Sequence, residues 1–272
     1  MTFDAWSASL AVLAMVALAA WLAHGWSERF AGWRWWRPVA FVSGVALVLL
    51  ATATPLDEAS GDGLVSAHVG QHLILGDLAA VLLLIGMPPR TRRWLGGRLE
   101  ALSWRPGFMG AVSRRAVSPL GAFVLWTAAT YVWFVPQVHR AAMPPGPVHL
   151  IDQLSFLIFG FLIWVMAFDP RPTQSGARGI RYGGLPWWAR HMYAMASRLV
   201  MIPPAIILWL AQAESYHPSL TRWRFSWSPA YDQETAAAIM LGFEMLLFAL
   251  AVVLAFIFII LREPHDGSDA PL

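Results

Sequence analysis

Long uninterrupted apolar runs are the feature that most restricts what this chain can fold into. A helix needs about 20 apolar residues to cross a bilayer core about 30 Å thick. Seven runs of suitable length are visible, at residues 6–24, 38–54, 67–88, 118–138, 148–168, 196–213 and 236–261. With 58% hydrophobic and only 13% charged residues, a soluble domain would have too little polar surface. The sequence predicts an all-α membrane protein, a bundle of about seven transmembrane helices.

The apolar runs predict a single membrane domain followed by a short polar tail. The first apolar run follows "MTFDAW", which contains an acid and no base, so we interpret it as a retained helix rather than a signal peptide. Pro203 and Pro204 interrupt the sixth run, which leaves counts of six or eight helices open. We assign residues 1–262 to a single polytopic membrane domain and residues 263–272 to a polar C-terminal tail.

The arginines predict the orientation of the bundle. All 19 basic residues are arginine, and with seven spans 16 of them fall on one side. The other side holds only Arg140, Arg222 and Arg224. Because cytoplasmic loops carry the arginine excess, the N-terminus is predicted outside and the C-terminus in the cytoplasm. This topology accounts for the net charge of +3 without a nucleic-acid partner.

Histidines collect on the predicted outer side. His68 and His72 are four residues apart on the third run and therefore project from one helical face. A helical histidine pair is more often structural than metal-binding, but other histidines join it from separate loops. The chain has no cysteine, so a copper site would need imidazole, thioether or carboxylate ligands. Additional candidate ligands are His139, His217 and Met143.

Three acids lie within the apolar runs: Asp77, Asp152 and Glu244. Ionisable residues at such depth are costly and usually face the bundle interior or a wet cavity. Asp77 follows His68 and His72 on the same helix, which suits a polar column descending from the outer face. A protonated carboxyl bonded to a neighbouring helix is the alternative for Asp77.

The order of motifs resembles the CtaG family of cytochrome c oxidase assembly factors. The stretch "ATPLDEASGDGLVSAHVGQHLILGDLAAVLLLIGMPP" is similar to the family's "SPLD" followed by "HMxQHLLL" and "GAP". Downstream, "HLIDQLSFLIFGFLIW" resembles "HxxEHxxFxxxGxxxW", and "DQETAAAIM" resembles "DQxxAGxxM". The residues that match these motif positions are Asp57, His68, Gln71, His72, His149, Asp152, Asp232 and Gln233.

Two positions depart from the family pattern. Phe134 stands where the family's "WHxP" motif has histidine, and Gln153 stands where its "EH" pair has histidine. The chain is thus expected to be a divergent member with an altered site. His139, five residues after Phe134, is a candidate spatial replacement.

The resemblance implies a non-enzymatic, multi-pass protein of the bacterial plasma membrane that assists maturation of a haem-copper oxidase. It implies transient copper binding at His68, His72 and His149. Surrounding residues expected to orient the ligands or line the outer vestibule are Gln71, Asp57, Asp77, Asp152, Asp232 and Gln233. Expected partners are an oxidase subunit or another copper chaperone, together with the lipid bilayer.

Three alternative functions stay open on the sequence alone. The first is a metal-free membrane chaperone for an oxidase subunit. The second is a redox protein holding haem b between His72 and His149, which lie on different helices. The third is a metal or proton transporter that uses Asp77, Asp152 and Glu244 as relay groups.

Overall fold

The computed structural model of the chain describes residues 5–27, 35–103, 106–143, 146–168, 185, 187–217 and 226–261. Within these residues every regular element is a helix, which confirms the all-α prediction. The helices are α1 (Ala5–Ser27), α2 (Trp36–Thr52), α3 (Pro55–Gly61), α4 (Val65–Leu73), α5 (Ala80–Gly86), α6 (Pro89–Ser103), α7 (Gly107–Ala116), α8 (Pro119–Trp133), α9 (Pro136–Ala142), α10 (Pro147–Phe168), α11 (Trp187–Leu199), α12 (Ile202–Leu210), α13 (Ala213–Tyr216) and α14 (Pro229–Leu261). A π-helical segment, Ile74–Ala79, joins α4 to α5 without a break.

Five helical stretches of the described chain are long and apolar enough to cross a membrane: Trp36–Gly61, Val65–Gly86, Pro147–Phe168, Ala189–Leu210 and Pro229–Ile257. Helices α7 and α8 would add a sixth span as one unit, bent by 80°. In α1 the apolar stretch Ser9–Trp21 is shorter. The chain therefore has the helices of a multi-pass membrane protein, while the count of seven and the orientation stay predictions.

Several sequence features lie outside the described residues. The polar tail 263–272 is among them, as are Arg29, Arg34, Arg171, Arg178, Arg181, Arg222, Arg224, Arg262 and His265.

The prolines of the sixth apolar run divide one predicted span into α11 and α12. Pro203 and Pro204 occupy the first turn of α12, where a missing N–H costs least. Helix α14 packs along both halves and also against α4, so it holds the divided span to the rest of the bundle.

Two glycines allow the closest helix crossing near the candidate site. A Cβ atom on Gly160 of α10 would lie 2.1 Å from the carbonyl oxygen of Gly76 in the π-helical segment. Residues without side chains let helix backbones approach in this way inside membranes. The two helices run in the same direction here, since His72 and Asp152, which precede the two glycines, also meet. The crossing therefore sets the distance between the polar side chains of α4 and α10.

Candidate metal site in a buried histidine cluster

An acid from the end of the chain fixes the start of α4. The backbone N–H groups of Val65 and Ser66 donate to Asp232 of α14 over 2.8 and 3.4 Å, and the Ser66 hydroxyl donates to it as well. These N–H groups have no partner within the helix, so a carboxylate there acts as an N-cap. His217 Nε2 lies 3.1 Å from the same carboxylate. Asp232 and His217 thereby anchor α4, which carries two of the predicted ligands.

The short helix α3 folds back against α4 and supplies a hydroxyl. Thr54 caps α3 by accepting from the N–H of Leu56 at 3.2 Å, and Pro55 occupies its first turn. At its other end, Ser60 Oγ lies 3.1 Å from His68 Nδ1. Both side chains are fully buried. Ser60 was not among the predicted site residues, because no local pattern joins it to a histidine in the next helix.

His68 and His72 share one carboxylate oxygen across the helix interface. Oδ2 of Asp152 on α10 lies 3.2 Å from His68 Nε2 and 2.7 Å from His72 Nε2. All three side chains are buried. A carboxylate that faces only imidazoles in an apolar interior needs a proton on one of them, or a bound cation, to balance its charge.

His149 approaches the cluster from one turn before Asp152. Its Nδ1 donates to the carbonyl oxygen of Ala142 at 2.9 Å, which leaves Nε2 with the lone pair of a neutral imidazole. The Gln153 amide donates to this Nε2 over 2.7 Å. Asp57 Oδ1 is 3.3 Å from the same nitrogen. His149 is therefore held in the tautomer with its proton on Nδ1, and its Nε2 lone pair accepts the Gln153 amide.

The Gln71 side chain donates a hydrogen bond to an acidic side chain rather than to an imidazole. Its amide nitrogen donates to Asp57 Oδ1 at 2.9 Å and to the carbonyl oxygen of Ala51 at 2.6 Å. It was expected to orient the ligands or line the outer vestibule. In the structure it holds Asp57 beside His149 instead.

His139 is a fourth imidazole in the same buried region. Its ring centre lies 5.0 Å from that of His68 and 5.3 Å from that of Tyr216. Neither ring nitrogen has a hydrogen-bond partner within the described chain. Burial lowers the pKa of His139 well below its usual value, and the neighbouring His68 and His72 lower it further. His139 is therefore a neutral imidazole, with one N–H and one nitrogen lone pair.

The two positions that depart from the family pattern face this cluster. The Phe134 ring centre is 6.1 Å from that of His72 and 5.8 Å from that of His139. Gln153 bonds directly to His149. A histidine at either position would lie next to the imidazoles already present.

The donor atoms of the cluster are close enough for one metal ion. Ligand atoms of His68, His149 and Asp152 all lie within 4.8 Å of one another. Two donors that are each about 2 Å from one ion lie at most about 4 Å apart, so ion binding would draw these atoms closer together. His72 Nδ1 and Asp152 Oδ1 are buried atoms without hydrogen-bond partners in the described residues, and His68 Nε2 contacts only Asp152 Oδ2 there. Imidazole and carboxylate donors suit copper or zinc.

The structure brings His68 and His149 together with Asp152, and His72 bonds to Asp152. Metal binding by the predicted ligands His68, His72 and His149 stays a prediction. Met143 is buried in the apolar core, and His217 belongs to the cap of α4. Gln233 donates to the carbonyl oxygens of Leu208 and Ala211, at the end of α12.

Asp77 lies in a second buried polar group, the ion triad, formed with Arg198 and Glu244. Arg198 Nη1 contacts Asp77 Oδ1 directly and lies 3.5 Å from Glu244 Oε2. The guanidinium also lies 5.4 Å from the ring centres of Trp126 and Trp164. Sequence analysis assigned Arg198 to the arginine-rich side, so this pairing was not predicted.

Comparison with known proteins gives a match over most of the chain. The family described as "Cytochrome c oxidase caa3 assembly factor (Caa3_CtaG)" matches residues 8–261. The chain is also similar to an uncharacterized protein of Mycobacterium bovis and to one of Mycobacterium tuberculosis. Each is 24% identical in an alignment 196 residues long that covers 62% of this chain and 28% of the relative. No solved structure matches the chain significantly.

Proposed function

The chain belongs to the family of cytochrome c oxidase caa3 assembly factors, and from this membership we propose that it holds copper transiently for a maturing haem-copper oxidase. The protein acts without catalysis, in the bacterial plasma membrane. Its partners are an oxidase subunit or another copper chaperone. The chain covers only 28% of the length of the curated relatives, so these assignments rest on the family and on the cluster geometry.

The observation that carries the copper proposal is the convergence of His68, His149 and Asp152 within 4.8 Å. Imidazole nitrogens and a carboxylate bind copper and zinc alike, and family membership favours copper as the cargo. The buried Asp152 carboxylate supplies charge balance for a cation in an apolar interior. His72 and Ser60 hold Asp152 and His68 in place.

Transient copper binding is favoured because ligand residues of the cluster form hydrogen bonds to other side chains when no ion is bound. Gln153 donates to His149 Nε2, the atom that would bind the ion, so copper has to displace this amide. His72 likewise competes for Asp152. Release of the ion restores both hydrogen bonds, which lowers the free-energy cost of copper dissociation.

A small ion suits the cluster better than a haem. The ring centres of His68 and His72 are 4.4 Å apart, and the His72 ring stacks on Phe156 at 3.9 Å. A porphyrin between His72 and His149 would have to displace His68, whose ring centre is 5.4 Å from that of His149.

A second function is favoured by the two altered positions. Phe134 places an apolar ring beside the imidazoles, and Gln153 satisfies His149 without an ion. A metal-free chaperone that contacts an oxidase subunit would need the cluster only to hold α4 and α10 together.

The deciding experiment measures copper bound to the detergent-purified protein under reducing conditions. We expect about one copper per chain in the wild type and none in His68→Ala/His149→Ala. His191→Ala on α11, outside the cluster, is the matched control and should keep its copper. Thermal unfolding of the same samples checks that the double variant is folded.

The two functions separate on oxidase maturation in cells. No copper in the wild type, with oxidase activity still dependent on the protein, would replace the copper proposal by the metal-free chaperone. Equal copper in wild type and double variant would show binding elsewhere and reject the cluster as the site.

A further inference from the structure

His139 is the only imidazole of the cluster that has no hydrogen bond within the described residues. The other three, on His68, His72 and His149, each have a nitrogen bonded to a protein oxygen. In His139 both Nδ1 and Nε2 are buried without a partner, and the residue has no exposed surface. A neutral imidazole has one N–H and one lone pair, so a donor and an acceptor are both left unsatisfied here.

The groups around His139 do not explain why the chain has a polar side chain at this position. The Phe134 ring, at 5.8 Å between ring centres, is apolar, and the Tyr216 hydroxyl donates to the carbonyl oxygen of Phe134 over 2.8 Å. A buried polar group without a partner is costly, and an apolar side chain of similar size avoids that cost. Packing alone therefore favours an apolar residue at position 139 over an imidazole.

His139 lies on the buried side of α9, a short helix at the surface of the bundle. In this helix Gln137, Arg140 and Ala141 are exposed, while His139 is buried. Arg140 Nη1 donates to the carbonyl oxygen of Glu214 at 3.3 Å, on the exposed side. Helix α9 therefore covers the cluster at this place, and His139 is its polar side chain on the cluster side.

We propose that His139 is a further ligand of the copper ion, an inference that rests on the proposed copper binding of the cluster. The centre of an imidazole lies about 3 Å from an ion that one of its nitrogens binds at about 2 Å, so two imidazoles on one ion have ring centres no more than about 6 Å apart. The His68 ring centre is 5.0 Å from that of His139 and 5.4 Å from that of His149. An ion bound to His68 is therefore within reach of imidazoles from both α9 and α10, as well as of the Asp152 carboxylate.

Ligation by His139 also fixes α9 over the ion. Without an ion, the side chain of His139 forms no hydrogen bond that joins α9 to α4. A metal–nitrogen bond supplies this connection and uses the lone pair that is otherwise buried without a partner. The cluster with copper bound should therefore hold α9 more firmly than the metal-free cluster does.

The test replaces His139 by leucine, an apolar side chain of similar volume, in the full-length protein purified in detergent under reducing conditions. Because the imidazole has no hydrogen bond to lose, His139→Leu without copper should unfold at the wild-type temperature or above it. Its copper affinity, measured by competition with a chelator, should fall about 10–100-fold, the range for residues that support a metal site. The matched control is His191→Leu on α11, outside the cluster, which should bind copper as tightly as the wild type does.

Hydrogen exchange of the α9 amides provides a second readout. Copper should slow this exchange in the wild type, and His139→Leu at saturating copper should lose the protection. Wild-type copper affinity in His139→Leu would overturn the role of His139 and leave the proposed copper site intact. A copper-free His139→Leu that unfolds at a clearly lower temperature than the wild type would make the imidazole structural and would also overturn the proposal. If the wild type binds no copper, the proposed function and this ligand fail together.

Discussion

The histidine cluster and the ion triad are both buried, and both surround a carboxylate, yet they differ in the source of positive charge. In the triad, Asp77 contacts Arg198, whose guanidinium is always charged. In the cluster, Asp152 faces His68 and His72, which are cations only when protonated. Arg198 therefore neutralises Asp77 with a permanent charge, whereas the charge of Asp152 is balanced only when an imidazole carries a proton or a cation is bound.

On the proposed function, this difference separates a structural role for the triad from a cation-exchange role for the cluster. An ion pair with a permanent cation joins its helices whatever the conditions, and here it ties the π-helical segment to α11. A cluster of neutral imidazoles around one acid binds cations reversibly, because each imidazole can hold a proton, an ion or neither. Variants that change the charge or the ligand atoms of each group test whether the triad and the cluster differ in this way.

Removing Arg198, the permanent cation of the triad, should lower the stability of the protein more than any other change proposed. Arg198→Gln leaves Asp77 buried without a charge partner, and we expect unfolding to become easier by about 3–5 kcal/mol. Denaturation of the purified protein in detergent measures this. Arg190→Gln, on the same helix, is the control and should change stability by less than about 1 kcal/mol. Adding Asp77→Asn to Arg198→Gln should recover part of the loss. Wild-type stability in Arg198→Gln would remove the structural role from the triad.

Copper should stabilise the protein through the cluster alone. At free copper about 100 times Kd, mass action predicts a gain of about 2.7 kcal/mol in the wild type. Asp152→Asn keeps the shape of the side chain but removes its charge, so it should lose this gain. Calorimetry with and without copper measures both. A copper-dependent gain that survives Asp152→Asn would mean that the carboxylate does not take part.

Local patterns predicted the helices and part of the site. The apolar runs identified the long helices because each run is a property of neighbouring residues. The four-residue spacing of His68 and His72, and the depth of Asp152, singled out three members of the cluster in the same way. What these patterns left open was the pairing of side chains across the bundle.

Pairings between distant residues could not be read from the sequence. Asp152 meets His72 across 80 positions, and Arg198 meets Asp77 across 121. Arg198 follows a group of arginines in the sequence, so it was assigned to that side although it is buried in the bundle. The short helices α3 and α9, which bring Ser60 and His139 to the cluster, are too short to form apolar runs of their own and were not predicted.

A histidine at position 134, where the family motif has one, should increase the copper affinity of the cluster. The Phe134 ring lies about as far from His72 as from His139, at 6.1 and 5.8 Å between ring centres. Phe134→His therefore adds an imidazole beside the existing donors, and we expect copper affinity to rise about tenfold, the scale on which site residues tune metal binding. Competition with a copper chelator measures the affinity. Phe134→Leu is the control for lost ring volume and should not bind more tightly.

Glu244→Gln should change stability least of all these variants. It tests which of the two acids in the triad is ionised. Both carboxyl oxygens of Glu244 lack hydrogen-bond partners in the described chain, and the 3.5 Å approach of Arg198 is longer than its contact with Asp77. One cation cannot neutralise two buried acids, so we expect Glu244 to carry a proton. Replacing a neutral carboxyl by a neutral amide should change stability by less than about 1 kcal/mol. If Glu244→Gln is instead as damaging as Arg198→Gln, both acids are ionised, and the triad, like the cluster, needs a further cation.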